Sequence, residues 1–545
     1  MAFIHGFHLR NLRGDIYGGL TAAVVALPLA LAFGVASGVG PIAGLYGAVF
    51  VGFFAALLGG TPSQISGPTG PMTVVMAVIF LDYVDQPELA FTIIMMGGAF
   101  QILFSVLRLG SLISLVPYTV ISGFMSGIGV IIIILQIGPL FGHAAPGGGV
   151  MGTFLGLPSI FADIKWDAAI VGLGVLAVVW LMPAKLNRIL PSALVALVIG
   201  TLIVANYLPG VSILGEIPTG LPEIKLPQID FSNLPGMVGW ALILALLGSI
   251  DSLLTSLIAD SVTCTHHISN RELIGQGIGN LVAGLFGGIP GAGATMRTLV
   301  NIRAGGATPL SGMLHALILL ALVLGLGSLA SHIPHTVLAG ILVKVGIDII
   351  DWGYLKRAAR APRAGVVIMF VVLGLTVFVD LIVAFATGMV VASLLLVKRM
   401  TDLQLDSVRA VIGDEDDLHF SAAEQAILSD YGDHIVLYHF AGPVSFGAAK
   451  GIAKRLVLDE NHKILILDLT DVPMVDTTGA FAIDDVIVNA RELGASIILA
   501  GANPSVLDIL ERLGVMDGIS QGNAATHSVE TRHAALEMAA HLIKE

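Results

Sequence analysis

Apolar runs, each about as long as one bilayer crossing, fill the chain up to about residue 400. A helix needs about 20 mostly apolar residues to cross the hydrocarbon layer. Runs of that kind lie at 15–38, 41–59, 90–109, 116–141, 167–183, 189–207, 236–260, 271–289, 309–329, 334–350, 365–380 and 381–398. The first is read as a span rather than a cleaved signal, because it is long and many more follow. Two further runs are short and interrupted. One, 69–81, is entered through Ser66-Gly67-Pro68-Thr69-Gly70-Pro71. The other, near 294–304, is entered through Pro290-Gly291-Ala292-Gly293-Ala294-Thr295. Counting both gives about fourteen segments, and the broken ones stand third in each set of seven. Paired broken helices at matching places are the sequence mark of an inverted-repeat membrane protein. The pattern predicts an all-α polytopic membrane domain over 1–400.

Beyond that point the pattern changes. Short branched runs at 435–440, 463–469 and 495–500 alternate with helical stretches at 480–493 and 505–513. This predicts a small cytoplasmic α/β domain over 416–545. It follows a linker, 401–415, whose acidic run Asp414-Glu415-Asp416-Asp417 is read as a solvated stretch.

Composition agrees with this division. The chain is 56% apolar and 12% charged, against about 25% charged in soluble proteins. With fourteen segments, one side of the short loops collects Arg10, Arg13, Arg108, Lys185, Arg188, Arg271, Arg303, Lys356, Arg357, Arg360, Arg363, Lys398 and Arg399. The other side holds Asp82, Asp85, Glu88, Glu216, Glu223 and Asp230. The excess of basic residues predicts that both termini face the cytoplasm from a plasma (inner) membrane. A net charge of -12 without a basic patch argues against a nucleic-acid partner. The single cysteine, Cys264, excludes an internal disulfide and a cysteine metal cluster. No Walker loop, Gly-x-Ser-x-Gly or dinucleotide fingerprint is present, so neither an enzyme nor ATP-driven transport is indicated.

Four features carry candidate chemistry. First, unwound backbone at bilayer depth is tolerated only where it lines a cavity or is buried in protein. Helices starting within 69–73 and 291–295 aim free N–H groups and positive dipole ends inward, which suits an anion; packing kinks are the plainer reading. Second, Asp251 lies deep in an apolar helix with no Lys or Arg in its span, and Thr255 shares its face. Carboxylate, hydroxyl and freed carbonyl oxygens suit a small cation such as sodium; the same carboxylate can take a proton instead. Third, Arg297 either lends positive potential to the anion site or sits at the cytoplasmic end. Fourth, Phe33 either walls the pocket or simply packs. Asp348, Asp351 and Asp380 fall near span ends, and His266 and His267 in a loop; solvation accounts for these. In the tail, Thr477 and Thr478 open a helix and are expected to cap it, or to face a phosphate or partner.

These residues resemble a known family, the SulP anion transporters. The carrying pieces are Leu27-Pro28 with Phe33, the stretch 34–46, Ser66 to Pro71, and Thr295-Met296-Arg297-Thr298. The tail resembles a STAS domain through Asp468-Leu469-Thr470 and Asp476-Thr477-Thr478-Gly479. The resemblance implies a seven-plus-seven inverted repeat with core and gate domains, an elevator-like motion and a homodimer in the lipid bilayer. Within the family the similarity is nearest to the sodium-dependent bicarbonate branch, on 27–38, 52–60 and Asp251 with Thr255. It implies sodium at Asp251, Thr255, Gly293 and Thr69, and an anion at Phe33, Thr69, Gly70, Ala294, Thr295 and Arg297. Many members have Gln where this chain has Leu29. The expected function is sodium-coupled uptake of bicarbonate or a similar small inorganic anion. Alternatives are proton-coupled sulfate or dicarboxylate transport, anion exchange, or a membrane scaffold whose tail binds a regulatory partner.

Overall fold

The computed structural model describes the chain from residue 5 onward, except 114–115, 145–148, 184–185, 187–190, 216–221, 380, 407, 413–419, 446–462, 516–525 and 545. Lys185, Arg188, Glu216, Asp380 and the acidic run 414–417 lie outside the described residues. Two compact units result, Met1–Val390 and Val391–Glu545.

Each of the fourteen predicted segments falls on a helix. The first seven are α1 (Leu12–Ala36), α2 (Pro41–Leu58), α3 (Gly70–Asp82), α4 (Pro87–Val106), α5 (Tyr118–Leu140), then α7 (Trp166–Leu181) and α8 (Ser192–Tyr207). The second seven are α9 (Leu234–Thr263), α10 (Ser269–Leu285), α11 (Thr295–Arg303), α12 (Pro309–Ala330), α13 (His335–Ile349), then α15 (Arg363–Phe378) and α16 (Leu381–Asp406). Pro41, Pro71, Pro87 and Pro235 stand in first turns, where the missing N–H would have no intrahelical partner anyway. The core bundle packs α1–α4 against α9–α12, and the gate bundle packs α5, α7, α8, α13 and α15.

Among the described residues, further helices beyond the fourteen were not legible in the pattern, a one-turn helix at Gly110–Ile113 among them. α6 (Gly149–Ala162) meets α7 at a bend of 117°. It is too short to cross a bilayer and contains Pro158. Met151, Phe154, Leu155 and Phe161 on it are exposed. A short α14 (Trp352–Arg357) begins at Asp351, whose side chain caps it by accepting from the Tyr354 N–H.

The second unit holds a five-stranded sheet in the order β3-β4-β5-β6-β7 (Val408–Ile412, Ile435–Ala441, Ile464–Asp471, Ser496–Ala500, Thr526–Val529). Its first pair is antiparallel and the rest are parallel. Apolar clusters cover both faces, with α18 (Thr477–Glu492) and α19 (Pro504–Arg512) on one side. α17 (Ala422–Tyr431) and α20 (Arg532–Lys544) lie on the other. Two expectations are corrected here. Within the predicted 401–415 linker, α16 runs on to Asp406 and β3 takes up Val408–Ile412, because no Gly or Pro interrupts 389–412. The cap of α18 is Asp476, whose carboxylate accepts from the Gly479 N–H at 2.7 Å, while Thr477 and Thr478 lie exposed inside the first turn.

Candidate functional site

The two breaks meet. Ser66–Gly67 (β1) pairs antiparallel with Ala292–Gly293 (β2), Ser66 opposite Gly293 and Gly67 opposite Ala292. α3 starts three residues after β1, and α11 starts two residues after β2. No side chain caps either helix, so their first-turn N–H groups and positive dipole ends are open to a ligand.

Neighbouring helices satisfy the unwound backbone. The buried Glu272 carboxylate accepts from the Gly60 and Thr61 N–H groups at 2.9 Å, and from the Gln64 and Gln276 amides at 2.8 Å. Gln276 also donates to Ser66 Oγ at 2.6 Å. The Asn280 amide donates to Gly291 O at 3.0 Å and accepts from its N–H at 2.8 Å. The Ala294 N–H donates to Ile65 O, and the Ile65 N–H donates to Thr298 Oγ1. Such partners are what let unwound polar backbone survive at this depth.

Arg297, at the third position of α11, is buried, so the cytoplasmic-end reading is corrected. Its Nη2 donates to Pro68 O at 2.5 Å, immediately before the start of α3. Its Nη1 has no hydrogen-bond partner among the described residues. Gly67 has φ +149, and a side chain there would come within 2.8 Å of that Nη1. Only glycine therefore leaves the guanidinium its room.

α9 supplies the acid. The Ser252 hydroxyl accepts from the Gly293 N–H, and Thr255 Oγ1 donates to Gly293 O at 3.0 Å and lies 2.8 Å from Thr295 Oγ1. The Asp251 carboxyl group lies beside the Thr69 side chain, within the field of Arg297. Yet Asp251 Oδ2 and Thr69 Oγ1 are both buried without a hydrogen-bond partner among the described residues. Asp251 with Thr69, and Thr255 with Gly293 and Thr295, offer carboxylate, hydroxyl and carbonyl oxygens, the hard donors that suit a small alkali or alkaline-earth cation. The structure thus assembles Thr69, Asp251, Thr255, Gly293, Ala294, Thr295 and Arg297. Gly70 is the first residue of α3, and a side chain there would meet Ile349 and Ile132 of the gate.

Phe33 stands apart from this cluster. It bounds a space of about 10 Å³ with Thr73, Gln136 and Leu342. That space shares its wall with a cavity of about 650 Å³ reached past Ser37, Phe80, His143 and His335. Among the described residues, no acid, Lys or Arg lines the larger cavity. Thr73 Oγ1 already donates to Thr69 O at 2.8 Å, which leaves the Gln136 amide as the polar group at the narrow end.

Glu272 and Gln136 escaped the sequence reading. Glu272 follows Arg271, which reads as a loop charge, but α10 already starts at Ser269. Gln136 is one amide in an apolar run, with no pattern to single it out.

Known proteins share this sequence pattern and fold. Residues 12–372 match the sulfate permease family, and 429–531 match the STAS domain. The chain is 48% identical over 524 residues to the bicarbonate transporter BicA of Picosynechococcus sp., covering 94% of this chain and 93% of that protein. The solved transmembrane domain of a cyanobacterial bicarbonate transporter BicA superposes with a TM-score of 0.67 at 52% identity, over 70% of this chain and 99% of that one. The structure of SLC26A9 shares the fold, with a TM-score of 0.84 at 19% identity over 99% and 92% of the two chains.

Proposed function

Taking as premise that this chain belongs to the sulfate permease family of membrane anion transporters, we propose that it couples sodium entry to uptake of bicarbonate or a similar small inorganic anion. The observation that carries this reading is the trio of buried, unpartnered polar atoms, Asp251 Oδ2, Thr69 Oγ1 and Arg297 Nη1, at the starts of two uncapped half-helices. The substrate class is supported by the 48% identical relative, which is a bicarbonate transporter.

The coupling is electrostatic. An ionised Asp251 beside the two helix starts repels an arriving anion. Sodium held by Asp251, Thr69, Thr255 and the Gly293 carbonyl cancels that charge. The anion then docks on the N–H groups of α3 and α11, with Ala294 and Thr295 at its side and the Arg297 guanidinium behind them. In a low-dielectric site two unit charges a few ångströms apart interact by several kcal/mol. Each ion therefore raises the other's affinity by the same factor. The core bundle, which carries every one of these residues, moves as a body against the gate in an elevator-like cycle. Phe33 closes the path from the cavity. The termini face the cytoplasm of a plasma membrane, the working unit is a homodimer, and the STAS tail receives regulatory input.

The deciding experiment is uptake of labelled bicarbonate and sulfate into proteoliposomes, with and without an inward sodium gradient. Bicarbonate uptake should follow sodium. Uptake that follows an imposed pH gradient and ignores sodium would reassign Asp251 to a proton, and sulfate uptake would change the substrate.

A further inference from the structure

His315 of α12 is fully buried, and neither ring nitrogen has a hydrogen-bond partner among the described residues. Buried polar side chains without partners are rare, and here an entire imidazole is left over. Its surroundings indicate where the missing bond goes. A five-residue turn joins α11 to α12, so the two run as a hairpin. In that hairpin Asn301 Nδ2 donates to Ser311 Oγ at 2.8 Å. One turn back along α11 from Asn301 is Arg297, and one turn on along α12 from Ser311 is His315.

Both side chains also reach the same short strand. A side chain placed at Gly52 would lie 3.1 Å from Ser66 O and 3.4 Å from His315 Nδ1. One placed at Gly67 would lie 2.8 Å from Arg297 Nη1. Arg297 is the charged group whose field reaches the imidazole, and its Nη1 is the unpartnered donor there.

We infer that His315 is a positioning residue for Arg297: one imidazole nitrogen accepts from Nη1–H, directly or through one buried water. With Nη2 held by Pro68 O, this second bond fixes the plane of the guanidinium. It also keeps the charge turned toward the helix starts instead of drifting into the seam between α11 and α12. A neutral imidazole serves as acceptor without adding a second positive charge. The inference rests on Arg297 acting at the anion site, as proposed above.

Two measurements on the full chain test it. A cryo-EM map fine enough to show ordered water reads the contact without any turnover. A ring nitrogen, or a single water, within hydrogen-bond distance of Nη1 is expected. A ring turned away with no bridging water overturns the inference, even if the protein carries an anion other than bicarbonate. Uptake kinetics then separate positioning from packing. His315→Leu should raise the anion KM about tenfold with little change in maximal rate, as for loss of one hydrogen bond to a charged group. His315→Gln, which keeps an acceptor, should bring KM back to within about twofold of wild type. Wild-type KM in His315→Leu, or equal damage in both variants, overturns it. Failure of the wild type to move any anion would instead overturn the transport reading, and the map would still decide this one.

Discussion

Arg297 Nη2 and Pro68 O are 2.5 Å apart, although 229 positions separate the two residues in the chain. One half-helix thus grips the last loop carbonyl before the other. The bond is charge-assisted and buried, the class in which geometry matters most. Lysine brings the charge but not the planar fork. Arg297→Lys should therefore raise the anion KM about tenfold, and Arg297→Gln about a hundredfold. Steady-state uptake measures this; equal effects from the two substitutions would mean that charge alone matters.

Asp251 and Thr69 can be probed with little disturbance of the fold, because Asp251 Oδ2 and Thr69 Oγ1 have no partner meeting hydrogen-bond geometry among the described residues. Asp251→Asn should abolish the sodium dependence of uptake. Thr69→Val should leave the melting temperature unchanged while raising half-saturation by sodium about tenfold, the loss of one oxygen ligand. Sodium-stimulated uptake retained in Asp251→Asn would refute the cation role.

Glu272 concerns stability rather than transport. Its Oε2 receives two backbone N–H groups, from Gly60 and Thr61. In Glu272→Gln an amide can offer its single oxygen to those donors or to the Gln64 and Gln276 amides, never to both pairs. Leaving two buried donors unpaired at about 1–3 kcal/mol each predicts a loss of roughly 2–6 kcal/mol. Thermal melts in detergent at fixed sodium would show it; an unchanged melting temperature would mean that the clamp is dispensable.

The tail should weaken in acid. Burial alone would raise the Asp468 carboxyl pKa. Hydrogen bonds from His439 and Thr470 outweigh burial and hold it below its ordinary 3.8. Glu424 is likewise held below 4.5, its burial outweighed by bonds from Ser421 and Arg532. For depressed carboxylates the stabilisation is present above the unfolded value and is lost as pH falls through the folded one. Hydrogen exchange in Ile464–Asp471 of the intact chain, corrected for intrinsic rate, should accelerate as pH drops through 4.5 and below 3.8. Asp468→Asn should flatten that dependence; an unaltered pH profile would discount the cluster.

Helix positions were legible because a bilayer imposes length and apolarity on each crossing, and the broken pair announced itself through Gly and Pro at matched positions. What stayed hidden was side-chain partnership. Nothing in Ser269-Asn270-Arg271-Glu272 says that its acid turns inward to hold a loop that precedes it by about two hundred residues. Nothing around His315 says that it lies across from Arg297. α6 and β3 were missed for another reason. One is too short for a crossing, and the other follows a helix that simply continues past the expected end of the membrane domain.

The β1–β2 ladder is made of main chain alone, two residues on each side. Side chains around it can change without untying the junction that aligns the half-helices. Selectivity and architecture are thereby uncoupled: lineages can retune which ion is accepted by altering a handful of neighbouring groups while the frame that presents them stays constant.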